Sequence, residues 1–314
     1  MISRRAVLIS GLMAPTLAYA QQYPSRNMTL IAPFAPGASA DGISRIVGEK
    51  LSRQLGKPVV VENRPGAGGT TGLTILARSE PDGHTLGVGA TGAIVVNPHV
   101  ESQAGFDPLR DLAPIARLIE VPIVLVAPRE AGFRSLKEMI EQSKRTAGGL
   151  SFGSTGVNSA QHLAVELLKK ATQANLVHVP YRGSAPVITD VLGGQLPLAS
   201  VDLTAADSHI KAGTLVPLAV TSPRRIDLLP DVPAIAESVP NFEVTAWIGL
   251  FGPARLPADL LLLLSGQVKT ALADADVRQR IQGLSCVEAY LDAPGFAAFL
   301  QAESSKMRDL IRSI

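Results

Sequence analysis

Cysteine is nearly missing from this chain. Cys286 is the only one, which excludes an intrachain disulfide. Aromatic residues are scarce, 4% against 46% hydrophobic in the broad sense, a globular composition with no signature of disorder. An excess of charge is missing too. The formal net charge of +2 is accounted for by Arg4 and Arg5 in an acid-free leader. The remainder carries no field favouring nucleic acid or an anionic membrane surface as a partner. Beyond the leader, no uninterrupted apolar run is long enough for a transmembrane helix.

Catalytic signatures are absent as well. No G-x-x-x-x-G-K-[ST] occurs, and Gly66–Gly72 reads G-x-G-G-x-x-G, with Thr71 where a dinucleotide fingerprint needs glycine. There is no G-x-S-x-G, so Ser154 reads as a hydroxyl donor or helix cap rather than a nucleophile. His84, His99, His162, His178 and His209 show no H-E-x-x-H or other ligand spacing, so neither a metal nor a cofactor is expected. Cys286 reads as a small buried hydrophobe.

What is present begins with an export signal over residues 1–20. Ser3-Arg4-Arg5 is the charged region, Ala6–Leu17 the short apolar run, and Ala18-Tyr19-Ala20 the cleavage site. General secretion and twin-arginine export both fit this leader. Cys286 lies too far from the cleavage site to carry a lipid anchor. The expected product is soluble and periplasmic.

The mature chain is organised around Leu30–Gly56. A short buried strand (Leu30, Ile31, Phe34) runs into a turn of small residues and then a helix with Ile43, Ile46, Val47 and Leu51 on one face. Ser39 or Asp41 is placed to cap that helix, and Gly56 to end it. Strand, small-residue loop and helix recur at Pro58–Arg78 and from Thr85 to the loop Gly89-Ala90-Thr91-Gly92, the alternation of a parallel α/β sheet. A crossover falls near Val121-Pro122. Leu150–Leu168 then repeats the opening unit, with Gly153–Ser159 as its loop. Val177–Val179 and Leu196–Val201 read as further strands, and Ser184 as the cap of a helix ending at Gly193-Gly194. A second crossover strand is expected over Val244–Phe251, followed by a largely helical remainder. Two α/β lobes result, 21–121 with 244–314 and 122–243, joined by two crossovers that suit a hinge closing over a ligand.

Ligands of such sheets bind beyond the carboxyl ends of the strands, where unpaired helix-start amides favour anions. Asp41 fits either capping or a role in orienting loop amides. Arg64 and Arg182 fit either a carboxylate contact or a solvated charge. His162 fits either a cleft-facing group or the edge of the core, and Trp247 reads as core.

The ordered set of motifs resembles one family, the Bug-type substrate-binding proteins of tripartite tricarboxylate transporters. It includes Pro33-Phe34-Ala35-Pro36-Gly37 with Asp41, Val60–Gly69, Pro81–Leu86, Asp111–Ile115 and Gly153-Ser154 with His162-Leu163. Tyr181–Ser184, Gly193–Gln195, His209–Gly213, Leu229–Pro233 and Trp247 continue it across the mature chain. The resemblance implies a two-lobed Venus-flytrap protein, α/β with two parallel or mixed sheets, acting as a monomer without catalysis. It would capture a small mono-, di- or aromatic carboxylate and deliver it to membrane permease subunits; a sensor partner or an exported enzyme is the rival.

By motif, the ligand's near carboxylate falls to two loops, often through ordered waters. One comprises Phe34, Ala35, Pro36, Gly37, Ala38, Ser39 and Asp41, the other Ser154, Thr155, Gly156 and Ser159 with His162. Gly66, Gly68, Thr70, Thr91 and Gly92 would line the cleft from one lobe, and Tyr181, Arg182, Gly183, Val201 and Asp202 from the other. The family often has Gly-Gly where this chain has Gly37-Ala38, and an acid near the position of Val201. The missing acid points away from an amino-acid ligand.

Overall fold

A computed structural model describes residues 23–100 and 106–313, so the export signal lies outside the described residues. The first sheet opens with β1 (Met28–Ala32), α1 (Ser39–Leu55), β2 (Val59–Asn63), α2 (Thr70–Ala77) and β3 (Thr85–Ala90). Short helices α3 (Asn97–Val100) and α4 (Pro108–Asp111) lead into β4 (Leu112–Val121). Pro122 separates β4 from β5 (Ile123–Pro128), which belongs to a second sheet. There follow α5 (Leu136–Arg145), β6 (Leu150–Ser154), α6 (Ala160–Thr172), β7 (Leu176–Pro180), α7 (Ser184–Leu192), β8 (Leu198–Asp202), α8 (Leu203–Lys211) and β9 (Leu215–Val220). The chain returns through β10 (Ala246–Pro253), α9 (Ala258–Leu272), α10 (Ala275–Gly283), β11 (Val287–Leu291) and α11 (Ala293–Ser313).

Local chemistry explains most of these boundaries. Ile43, Ile46, Val47 and Leu51 of α1 are all buried, and Gly56 ends the helix at φ +70°, where a side chain would be strained. Ser135 caps α5 by accepting from the Glu138 amide, and Asp107 caps α4 by accepting from the Leu109 amide. Two elements were not expected. β11 lies within a stretch whose composition reads as helix, and it forms only by pairing antiparallel with β4. Helix α8 follows β8 where no element was expected.

The strand orders are β11-β4-β10-β3-β1-β2 and β7-β6-β8-β5-β9. Apart from the added edge strand β11, they follow one plan. Three parallel strands (β2-β1-β3 and β7-β6-β8) adjoin an antiparallel strand arriving from the other sheet, β10 in the first and β5 in the second. By this plan β1 corresponds to β6 and β3 to β8, so the loops that follow them occupy corresponding positions. The return passage is held by a ladder, with the Val244 amide on the Thr221 carbonyl (3.1 Å) and the Thr221 hydroxyl on the Val244 carbonyl (2.7 Å).

Behind the first sheet, α11 covers β10 and β4 with an aromatic cluster. Trp247 is fully buried and meets Phe296 and Phe299 edge-on, each with centroids 5.6 Å apart. The cluster needs a glycine on the strand beneath it. A methyl on Gly249 would sit 2.2 Å from the Phe296 ring. Gly249→Ala is therefore expected to lower unfolding free energy by about 1–3 kcal/mol; an unchanged urea midpoint would contradict this packing.

Candidate functional site

Two turns of small residues stand at corresponding places, after β1 and after β6. In the first, Ala35, Pro36 and Gly37 are exposed, and Gly37 holds φ +85° with open space beside it. Helix α1 then begins without a side-chain cap at Ala38. The amides of Ser39, Ala40 and Asp41 meet no protein acceptor among the described residues. Such a start combines free donors with the positive end of the helix dipole.

Neither expected cap therefore forms at that position. Asp41 reaches backwards instead, accepting from the Gly37 amide (3.0 Å) and from Asn63 Nδ2 (2.9 Å), and pairing with Arg45 (2.8 Å). Burial works against its charge, but the bonds from Arg45, Asn63 and Gly37 hold its carboxyl below the usual range. Asn63 also donates to the Phe34 carbonyl (3.0 Å), so Asp41 and Asn63 together brace the turn. The Phe34 ring lies against Gly69.

The second turn is braced differently. Ser154 is fully buried, with Oγ 2.7 Å from His178 Nε2, and it accepts from the Gly156 amide (3.2 Å). Gly156 sits at φ +138°, and its carbonyl accepts from the Ser159 hydroxyl (2.8 Å). Ser159 caps α6 by accepting from the His162 amide (3.2 Å). The amides of Ala160 and Gln161 meet no protein acceptor among the described residues. A serine–histidine pair is thus present although no motif announces it. Its hydroxyl is turned into the protein, away from any position where a nucleophile works.

The two helix starts converge on Asp202, at the end of β8. Gln161 Nε2 donates to Asp202 Oδ1, and Thr155 Oγ1 donates to Gln161 Oε1 (2.8 Å), which fixes the amide's orientation. From the first sheet, Ser39 Oγ lies 3.4 Å from Asp202 Oδ2 and 3.2 Å from Thr204 Oγ1. The Thr204 hydroxyl donates to the Leu284 carbonyl, so the one Ser39 hydroxyl proton is shared between Thr204 Oγ1 and Asp202 Oδ2. Burial pushes the Asp202 carboxyl up to about 6, against the lowering effect of bonds from Gln161, Ser39 and Ser184. Beside this cluster, Gly92 approaches the Asn158 loop so closely that a methyl would lie 3.2 Å from the Asn158 carbonyl oxygen.

Other expected residues are placed less simply. Val201 is fully buried in a cluster with Val124, Val126 and Val187, so it cannot line the cleft. Strand alternation sends its neighbour Asp202 to the opposite face. The acid that looked missing is therefore present one residue later, and the argument against an amino-acid ligand loses its premise. Ser184 does not cap α7 but opens it, after Gly183 at φ +122°, and its hydroxyl accepts from the Asp202 amide (3.2 Å). His162 turns its ring into a stack on His178, so it lies with the loop's support rather than free in the cleft.

Tyr181 donates to Asp190 at the surface of α7 (2.5 Å). Arg182 is exposed and ion-pairs with no described residue, whereas Arg64 pairs with Glu62 (2.9 Å). Gly66 and Gly68 lie on an exposed left-handed turn, and Thr70 is buried, accepting from Asn97 (3.2 Å). Thr91 accepts from the Trp247 amide (2.9 Å). Gln161, Thr204, Asn63 and His178 were not foreseen as parts of this region. Gln161 was within reach of the helix-start argument applied to Ser39. His178 was not, because only the parallel register of β6 and β7 brings it there. No cluster among the described residues can hold a metal, and no described helix is long and apolar enough to cross a membrane.

Two mixed α/β sheets, linked by exchanged strands and meeting at opposed helix starts, define a two-lobed solute-binding protein. The chain belongs to the tripartite tricarboxylate transporter receptor family, whose model matches residues 43–314. A protein of Pseudomonas sp. strain P51, named for the tcbD–tcbE intergenic region, is 34% identical and spans 99% of this chain and 94% of its own. The periplasmic binding protein BugD superposes with a TM-score of 0.85 at 31% identity, covering 92% of this chain and 98% of its own. Rpa4515 of R. palustris, solved with adipate, superposes with a TM-score of 0.88 at 27% identity, covering 93% and 98%.

Asp202 generates a pH prediction. Its folded pKa near 6 lies above the ordinary carboxyl value. Between about pH 4 and 6 the folded chain therefore keeps a proton that the unfolded chain has lost. Stability falls as pH rises through that window. Asp202→Asn is expected to flatten this dependence and to be at least as stable as the parent at pH 7, by urea unfolding; an unaltered slope would contradict the assignment.

Proposed function

We propose that this chain is a periplasmic receptor that captures a small carboxylate between its two lobes and delivers it to the membrane permease of a tripartite transporter. The observation that carries this reading is the pair of helix starts, α1 and α6, which leave amides free and send Ser39 and Gln161 from different sheets to the same Asp202. An anion with hydrogen-bond acceptors on both sides suits that arrangement, and a carboxylate has four such sites. The adipate held by Rpa4515 supports a carboxylate of this size class. Residues 1–20 would direct export. The lobes would comprise 21–121 with 244–314 and 122–243, hinged at the two crossovers.

In this reading Gly37, Ala38 and the amides of Ser39–Asp41 receive the carboxylate from one side, and Thr155–Gly156 with the amides of Ala160 and Gln161 from the other. Asp202 then bears on the ligand's remaining groups. Ionised, it disfavours a second carboxylate nearby and favours an ammonium or hydroxyl donor. A micromolar ligand needs about 8 kcal/mol. Charge-assisted hydrogen bonds at roughly 1.5–3 kcal/mol each supply that scale from a few donors. No catalytic group is required.

A calorimetric panel of acetate, succinate, malate, adipate, citrate, benzoate, aspartate and glutamate tests the proposal. The expected result is micromolar binding of at least one, weakened tenfold or more by Gly37→Leu, with stability lowered only by the roughly 1–2 kcal/mol of strain that φ +85° imposes on a side chain. Gly37 is the position to alter because a side chain there meets open space and costs only the backbone strain of its φ, whereas Ser154 is buried and its replacement would disturb the fold. Absence of binding across the panel at millimolar concentration would overturn the reading.

A further inference from the structure

The two histidines beside the second turn hold both of its ends. Phe152, His178 and His162 form a column of rings, with centroids 5.0 Å apart between Phe152 and His178 and 3.9 Å apart between the imidazoles. At the start of the turn, His178 Nε2 meets Ser154 Oγ at 2.7 Å. At its end, the Asn158 amide donates to His162 Nδ1 at 3.2 Å. Asn158 itself is left-handed at φ +61°, a conformation that asparagine tolerates better than most residues. We propose that His162 and His178 are positioning residues, two neutral imidazoles that pin the Ser154–Ser159 loop at both ends in its ligand-receiving conformation. Its effect on binding rests on the carboxylate reading above; the pin itself does not.

The chemistry demands a particular tautomer. To accept from an amide, His162 Nδ1 must carry a lone pair, so the ring proton sits on Nε2, 3.7 Å from Glu166 Oε1. Protonation would place N–H against N–H and release Asn158. The charged groups around the pair are Glu166 and Lys169 of α6, themselves ion-paired at 2.9 Å, and the other imidazole. Burial lowers the pKa of both rings, that of His178 to about 4; Lys169 lowers both further, and Glu166 partly offsets this at His162. Two cations stacked this closely repel, so both rings stay neutral at pH 7. The pin opens as pH falls below the ordinary histidine range near 6.5.

Nitrogen NMR of the full mature protein, from pH 7.5 to 4.5, tests this without any ligand. The expected result is an Nε2–H tautomer at His162 and an Asn158 amide whose exchange, corrected for intrinsic rate, accelerates about tenfold or more as the ring titrates. His162→Asn places an uncharged acceptor at the Nδ1 position and should keep Asn158 protected at pH 4.5, whereas His162→Leu should lose protection throughout. With adipate as the calorimetric probe, His162→Leu should bind about tenfold more weakly at pH 7 and His162→Asn within about twofold of the parent. The acid-side loss of affinity that His162→Asn removes belongs to the imidazole, since Asp202 is still present to titrate. An Nδ1–H tautomer at pH 7, or an Asn158 amide that stays protected through the titration, overturns the pin. Failure of the parent to bind adipate or any panel carboxylate would count against the carboxylate reading alone, and the tautomer and exchange data would still decide the pin.

Discussion

A helix must leave its first amides without intrahelical partners, and this fold is arranged around where two such sets are left. At α5 and α4 a side-chain cap, Ser135 or Asp107, takes one of them. At α1 it supplies no cap at all. Asp41, the nearby acid that could have served, is instead drawn back onto the turn by Gly37, Asn63 and Arg45. At α6, Ser159 satisfies one amide and leaves those of Ala160 and Gln161 open. Donors left in this way are met by water or by an arriving acceptor. The exchange of β5 and β10 between sheets brings side chains from both helix starts to Asp202, and in the proposed reading one acceptor would serve both.

Between them lies Asp202, a point where the two lobes touch through side chains. It receives Gln161 from its own lobe and stands beside Ser39 from the other, and among the described residues it has no ion-pair partner. Its raised pKa is the electrostatic record of that position. A carboxylate held near two helix starts experiences a favourable dipole but also a low-polarity environment, and here burial is the larger effect. In the proposed reading, a ligand that shares the space would meet Asp202, and this residue, rather than the small-residue turns, would discriminate among carboxylates.

Much of this was legible in the sequence because it is written in short-range chemistry. The strand–turn–helix units around Gly37 and Gly153, the stop at Gly56 and the crossover at Pro122 all follow from local pattern. What was hidden depends on pairing across long separations. Whether Val201 or Asp202 faces the cleft turns on strand register, and the misplaced expectation at Val201 is the one-residue ambiguity inherent in a period of two. His178 reaches Ser154 only through parallel pairing of β6 with β7, and β11 exists only because β4 offers it an edge. Caps failed for a related reason. Ser39 and Ser184 have the right chemistry for capping, but each hydroxyl is taken by a tertiary partner, around Asp202 and Thr204.

The central claim is that amides from both helix starts bind one carboxylate together. Amide chemical shifts of Ser39, Ala40 and Asp41, followed with those of Ala160 and Gln161 during titration with the tightest-binding carboxylate of the panel, test it most directly. The account predicts that both sets move downfield with a single shared dissociation constant. Movement of one set alone, or of neither at saturation, would contradict it.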